Sequence, residues 1–372
     1  MHRPAWVEVD LAAIAHNLRA LKQHLGEGVR ILAVVKADGY GHGAVPVSDV
    51  ALASGAELLG VACVEEAMEL RAAGVDAPIL ILSAVLPEVI DAALSEDISL
   101  TVGDVAFARV LAAKAQARGL TARAHVKVDT GMSRLGVPVD GAVQAIVQIA
   151  SLEGIRLEGL CTHFPSADND PDFTLEQART FARIANELEQ RGIRPSWVHA
   201  ANSAAAITLA ESRFNLVRIG LAMYGLHGSA GAPWPVDLRP ALSLKARVTA
   251  VRPLAAGATV SYGRTYRADR PTTLATVPIG YADGYSRALS NRWQMLVRGR
   301  RCPIVGRVCM DATMIDVGTI SDVGVGEEVV IYGQQNDDRI AVEEVAALLD
   351  TIPYEVVCAI GKRVPRRYLV AE

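Results

Sequence analysis

One lysine closes an apolar run. Ile31-Leu32-Ala33-Val34-Val35-Lys36 leads directly into Ala37-Asp38-Gly39-Tyr40-Gly41-His42-Gly43. Burial at the end of a strand favours the neutral amine, the form that adds to a carbonyl. A glycine-rich loop follows at once, which suggests a Schiff-base lysine. The competing reading is a lysine just past the strand, with its ammonium in water. Other polar residues recur at the ends of apolar runs: Tyr40, Lys127, Arg134, His163, Asn202, Ser203, Arg218, and Gly220 beside Leu221. Ser203 and the amides around it would open a helix, a natural seat for phosphate. Gly220 would let backbone approach closely. Arg134 and Arg218 are fixed cationic donors. An aldehyde for Lys36, a phosphate for these loops and a ring between them describe pyridoxal 5'-phosphate. Taken singly, each residue has a plainer reading. His163 could be a satisfied core histidine, Arg218 could pair a buried carboxylate, and Lys127 could face a helix rather than the barrel interior.

These residues must be positioned by elements, and the chain alternates two textures from Ile31 to about Tyr224. Short β-rich runs begin at Ile31, Leu58, Ile79, Ile98, Ala122, Leu157, Trp197 and Leu216. Amphipathic, alanine-rich stretches such as Glu65–Ala73, Val105–Arg118 and Thr174–Arg191 separate them. An earlier helix, Leu11–Leu25, has Asp10 as its N-cap. Repeated strand–helix units imply a parallel sheet. Eight of them imply an α/β fold, a closed (β/α)8 TIM-type barrel, with a doubly wound open sheet as the alternative. In a barrel the active site lies at the carboxyl ends of the strands, where the polar residues above fall. Near Pro240 the texture changes. Leu242–Val251, Thr272–Ile279, Trp293–Val297 and Val329–Tyr332 read as strands between glycine- and proline-rich turns, with no long helix before Val342–Leu349. The expected organisation is a barrel over residues 1–240 and a C-terminal, mostly β domain over 241–372.

At 372 residues the chain can bury one large core and one smaller one. A net charge of -4 gives no electrostatic reason to expect nucleic acid or a membrane surface. The short basic runs Arg298–Arg301 and Arg363–Arg367 read as solvated strand edges. The five cysteines are scattered and form no C-x-x-C, which argues against a disulfide framework or a structural zinc site. Residues 1–8 lack the apolar core of a signal peptide, and no run approaches the length of a membrane span. The expectation is a cytoplasmic protein. The glycine-rich loop is not G-x-G-x-x-G, there is no Walker sequence, and no histidine spacing suggests a catalytic metal.

Beyond single residues, long stretches resemble the alanine racemases. Ala33–Gly43 is similar to that family's cofactor-lysine signature, and Val126–Gly136 to its second signature. Ser261-Tyr262-Gly263-Arg264-Thr265-Tyr266, Pro278–Tyr285, Gly306–Asp311 and Ile352-Pro353-Tyr354-Glu355 match as well. The resemblance implies two-base racemisation of L- and D-alanine with pyridoxal 5'-phosphate, supplying D-alanine for peptidoglycan. Lys36 and Tyr262 would be the bases on opposite faces of Cα. A free phenol, with a pKa about 10, must be tuned to act near neutrality. His163 and Arg218 would form a hydrogen-bonded chain behind the tyrosine, and Arg218 would face the ring nitrogen. Tyr40, Ser203, Gly220, Leu221 and Tyr354 would bind phosphate, with Asn202 beside them. Arg134 would contact the cofactor's phenolic oxygen and, with Met310, the substrate carboxylate, and Tyr281 and Asp311 would guard the entrance. Lys127 matches a lysine carbamylated in some members. By the same resemblance Tyr262, Met310, Tyr281 and Asp311 come from the partner of a head-to-tail homodimer. Two departures stand out: Asp38-Gly39 where asparagine–alanine is common, and Ile219 where many members have proline. Rival readings are a broad-specificity amino-acid racemase, a related-fold amino-acid decarboxylase and a non-catalytic pyridoxal-phosphate carrier.

Overall fold

The computed structural model describes residues 3–228 and 234–369. The first strand, β1 (Ala5–Asp10), is followed by a helix over Leu11–Leu25. Eight strands then alternate with helical segments: β2 (Arg30–Val34), β3 (Leu58–Val61), β4 (Ile79–Ile81), β5 (Ser99–Val102), β6 (Ala122–Asp129), β7 (Ile155–Cys161), β8 (Trp197–His199) and β9 (Leu216–Ile219). They pair in parallel, in the spatial order β5-β4-β3-β2-β9-β8-β7-β6, and β6 pairs back onto β5 through Leu100 and Ala124. The sheet is therefore a closed barrel, and the open-sheet alternative is excluded.

The sequence explains the closure locally. β3, β4 and β5 are buried along their whole lengths, as strands covered on both faces must be. The helices are amphipathic. Pro171–Gln190 buries Thr174, Gln177, Ala178, Phe181, Ile184 and Leu188, a spacing of three and four. Asp170 caps it by accepting from the Phe173 amide at 3.0 Å, with Pro171 at the first helical position. Asp10 caps Leu11–Leu25 as expected, accepting from the Ala13 amide at 2.9 Å.

Past residue 240 the chain is mostly strand. One sheet runs Arg300–Pro303, Gln294–Val297, Glu328–Gln335, Leu242–Arg247, β1 and Arg366–Leu369. A three-stranded sheet joins Ala250–Leu254, Thr272–Val277 and Thr313–Asp316. The expected single strand Leu242–Val251 is thus two strands in different sheets. β1 was not expected as a strand. It pairs antiparallel with Leu242–Arg247 and parallel with Arg366–Leu369, so this sheet uses both ends of the chain. Arg366 also donates through Nε to the Gly41 carbonyl at 3.0 Å, tying the end of the chain to the loop after Lys36. No helix among the described residues is long and apolar enough to cross a membrane.

Candidate active site

Lys36 leaves β2 into a left-handed turn. Ala37, Asp38, Gly39, Tyr40 and Gly41 have φ of 52°, 53°, 60°, 53° and 78°. Each non-glycine residue there costs on the order of 1 kcal/mol, so surrounding groups must hold the turn. The Ala37 amide donates to Oε1 of Glu66 at 2.7 Å, the Gly39 amide to the Val35 carbonyl at 2.8 Å, and the Ala44 amide to Oδ1 of Asp38 at 2.9 Å. The turn buries Tyr40 against Tyr224, with ring centroids 5.1 Å apart, and the Tyr224 hydroxyl donates to the Val34 carbonyl at 3.0 Å. Strand and turn are thereby fixed on both sides of the lysine.

Two adjoining cavities of about 330 and 450 Å³ open at the carboxyl ends of the barrel strands, and Lys36, Leu82, Arg134, His163 and Arg218 line both. Lys36 makes no hydrogen bond or ion pair among the described residues. Its pKa is lowered by burial first and by the Arg134 charge second. The lysine is part-buried at the wall of both cavities. Lys127 is buried, lines the first cavity, and has its pKa lowered chiefly by burial. It faces the barrel interior rather than a helix.

Among the described residues Arg218 pairs no carboxylate directly. Nη1 donates to Nδ1 of His199 at 2.9 Å, and Nη2 reaches Nδ1 of His163 at 2.9 Å and the Thr162 and Ala200 carbonyls at 2.9 and 2.7 Å. Nε has no partner among the described residues. Burial and the neighbouring guanidinium push His163 and His199 well below the ordinary imidazole range, so both rings are neutral near pH 7. Because an arginine only donates, the protons of both rings sit on Nε2.

The second cavity is lined by Tyr40, Asn202, Ser203, Gly220, Leu221 and Tyr354 together with Cys358. Ser203 Oγ accepts from the Gly220 and Ala222 amides at 3.0 and 3.4 Å, pinning the loop after β9 to the start of the Ser203–Thr208 helix. Asn202 caps that helix, accepting from the Ala205 amide at 3.1 Å. A Cβ at Gly220 would stand 2.7 Å from the Tyr40 hydroxyl, so the bare backbone keeps this end of the cavity open. Burial raises the Tyr354 phenol to about 12.

Tyr262, Tyr281, Met310 and Asp311 line neither cavity. They form a second cluster on the β domain. The Tyr281 amide donates to the Cys309 carbonyl at 3.0 Å and the Ala282 amide to Met310 at 3.1 Å, while Ser261 Oγ donates to the Arg307 carbonyl at 2.7 Å. Tyr262 is 72% exposed and Met310 52%. Asp311 is ion-paired with Arg363, which also holds the buried Asp283. The Arg363–Arg367 run is therefore partly structural rather than a solvated edge.

Sequence reasoning missed His199, His125 and Glu158 inside the barrel. A signal was present. His125 and Lys127 lie two residues apart on β6 and so share a face, and His199 stands beside Ala200 at the end of the seventh run. Neither histidine was singled out on its own.

Comparison with known proteins agrees with this architecture along the whole chain. The alanine racemase N-terminal domain matches residues 9–228, and the alanine racemase C-terminal domain residues 241–368. An alanine racemase of Desulfovibrio desulfuricans is 46% identical, with 99% of this chain and 98% of the relative covered. The crystal structure of alanine racemase from Bacillus anthracis, with bound L-Ala-P, superposes with a TM-score of 0.94 at 39% identity, covering 100% of this chain and 96% of that one. A histidine racemase of Leuconostoc mesenteroides superposes at 0.92 with 30% identity and 99% coverage of both chains. With both of its domains matched and nearly its full length aligned, the chain belongs to the alanine racemase family of isomerases.

Proposed function

We propose that the chain racemises L- and D-alanine with pyridoxal 5'-phosphate, using Lys36 and Tyr262 as bases on opposite faces of Cα, and that Tyr262 reaches the site from a second copy. One observation carries this reading. A part-buried amine with no partner among the described residues lines the barrel cavities, while the tyrosine, the methionine and the aspartate expected to act with it stand together on an exposed surface elsewhere on the chain. A two-fold pair of chains can bring two such halves together twice.

The cavity residues fit the cofactor. Lys36 is an amine whose neutral form burial favours. Gly220 keeps open the end lined by Tyr40, Ser203, Leu221 and Tyr354, with Asn202 alongside, which would hold the phosphate. Arg218 has Nε uncommitted for the ring nitrogen. When bound, the cofactor supplies a carbonyl for amines and a conjugated ring that spreads the electron pair left by the departing Cα proton.

The chain's own groups do the rest. Nζ of Lys36 takes or returns the proton on one face of Cα, and the phenolic oxygen of Tyr262 does so on the other. His163, with its proton on Nε2, offers that N–H on the cavity side, and Arg218 fixes the ring through Nδ1. Arg218 stays protonated, so it donates a hydrogen bond but does not hand over its proton. The electron pair then stays nearer Cα, which favours its reprotonation there over transamination. Arg134 and Met310 hold the substrate carboxylate, while Tyr281 and Asp311 narrow the entrance. The depressed Lys127 amine suits carbamylation, since only a neutral amine adds carbon dioxide. The division of labour falls near residue 240, with the cofactor on the barrel side and the second base beyond it. A cytoplasmic enzyme supplying D-alanine for peptidoglycan completes the reading. The likeness to a histidine racemase favours testing larger amino acids as well.

The test is incubation of pure protein, added pyridoxal 5'-phosphate and L-alanine in deuterated water. The expected product is D-alanine carrying deuterium at Cα, with little deuterium in the remaining L-alanine at early times. Exchange into L-alanine with no D-alanine would overturn the two-base assignment. No exchange with alanine, but turnover of histidine or serine, would move the substrate and keep the mechanism.

A further inference from the structure

Hydrogen bonding inside the barrel continues beyond Arg218. His199, with Nδ1 accepting from Arg218, has its proton on Nε2, and that nitrogen lies 2.9 Å from Nδ1 of His125. His125 must accept there, so its own proton is on Nε2. That Nε2 lies 3.4 Å from Oε2 of Glu158, an electrostatic contact rather than a hydrogen bond, and it has no hydrogen-bond partner among the described residues. The same carboxylate oxygen accepts from Ser99 Oγ at 2.7 Å. Every link has one direction. Reversing any of them sets two protons or two lone pairs face to face.

The chain runs from a buried cation, through two neutral imidazoles, to a buried carboxylate. Arg218 and Glu158 are 7% and 8% exposed, and both imidazoles are fully buried. Four strands supply the four residues: β9, β8, β6 and β7. Gly159, on β7, makes room for it, because a Cβ there would collide with the His125 ring. Burial depresses both histidines. Burial alone would raise Glu158, but the nearby His125 ring and the hydrogen bond from Ser99 outweigh it and hold the carboxyl at about 2. Arg123, also near Glu158, is engaged by Asp97 at 2.7 Å.

We propose that Glu158 is a positioning residue of the racemase site: its charge fixes His125 and His199 as Nε2–H tautomers, and these hold Arg218 with both Nη atoms committed inward and Nε left for the cavity. The role of Arg218 rests on the function proposed above; the tautomers do not.

The experiment begins with ligand-free protein labelled with 15N at histidine. Between pH 7 and 9 both rings should be neutral and protonated on Nε2. Finding either ring protonated on Nδ1, or doubly protonated at pH 7, overturns the proposal whatever the activity. In E158Q the amide can donate to His125 Nε2 and turn both rings, which would aim an N–H at Arg218. The expected result is a second tautomer for both rings, kcat lower by at least about tenfold, and a KM for L-alanine within about threefold. S99A, in the same pocket with the charge kept, should retain the tautomers and a kcat within about twofold. E158Q with unchanged tautomers and unchanged kcat overturns the proposal. Should E158Q not fold, the spectra of the unaltered protein still decide the tautomers. Correct tautomers in a protein that does not racemise alanine would count against the proposed function and not against the hydrogen-bonded chain.

Discussion

Lys36 is a part-buried amine with nothing among the described residues to bond to. Such a group costs folding energy unless a ligand uses it. Lys36→Ala should therefore abolish racemisation, by about a thousandfold or more, while leaving the thermal midpoint unchanged or raised. Loss of stability without loss of activity would contradict the assignment. Gly220→Ala tests the other end of the cavity. A Cβ 2.7 Å from the Tyr40 hydroxyl should weaken binding of pyridoxal 5'-phosphate at least about tenfold in an absorbance titration, with the fold retained. At this scale the sequence was legible where chemistry clashes with surroundings. A lysine closing an apolar run is such a clash, and Arg218 within a buried strand is another. His125 and His199 raise no clash, since a histidine can be neutral in a core. Their significance appears only when the barrel closes and sets four strands' side chains against one another.

The left-handed turn after β2 is the element that aims Lys36. Asp38 holds it by accepting from the Ala44 amide. Asp38→Ala should cost about 1 kcal/mol in urea unfolding, whereas Asp38→Asn keeps an acceptor oxygen and should cost little. Equal effects for the two would mean that the carboxylate charge, not the hydrogen bond, matters. Asp38-Gly39 suits this turn, since aspartate and glycine both tolerate positive φ. The barrel strands were legible because each is a short β-rich run set between helical stretches. β1 was not, because its partners lie at Leu242–Arg247 and Arg366–Leu369, and nothing local marks it. The Leu242–Val251 run was read as one strand because its apolar content continues across Val248-Thr249, where the chain changes sheets.

Among the described residues, His42, His125 and His199 are buried and His163 part-buried, and burial lowers all four rings, His42 to about 4. For each, the unfolded chain binds a proton near pH 6.5 that the folded chain refuses. Their contribution is fully present above that value and is lost as pH falls below it. Each group then costs about 1.4 kcal/mol per pH unit. The urea midpoint should be flat from pH 7 to 8 and drop steeply by pH 5.5. A midpoint independent of pH over that range would show that these rings are not buried neutral. The deep value of Glu158 adds nothing in this window, because its stabilisation is lost only below about pH 4.5.

The central claim is that one chain holds Lys36 and its partner provides Tyr262. Mixing settles it most directly. Lys36→Ala and Tyr262→Phe chains, each inactive alone, would be unfolded together and refolded at equal amounts, with hybrid dimers verified by native mass spectrometry. In a hybrid, one site has lost both bases and the other has kept both. Random pairing makes about half the dimers hybrids, each with one working site in two, so about a quarter of the unaltered specific activity should return. Hybrids that form and stay inactive would contradict a site shared between two copies.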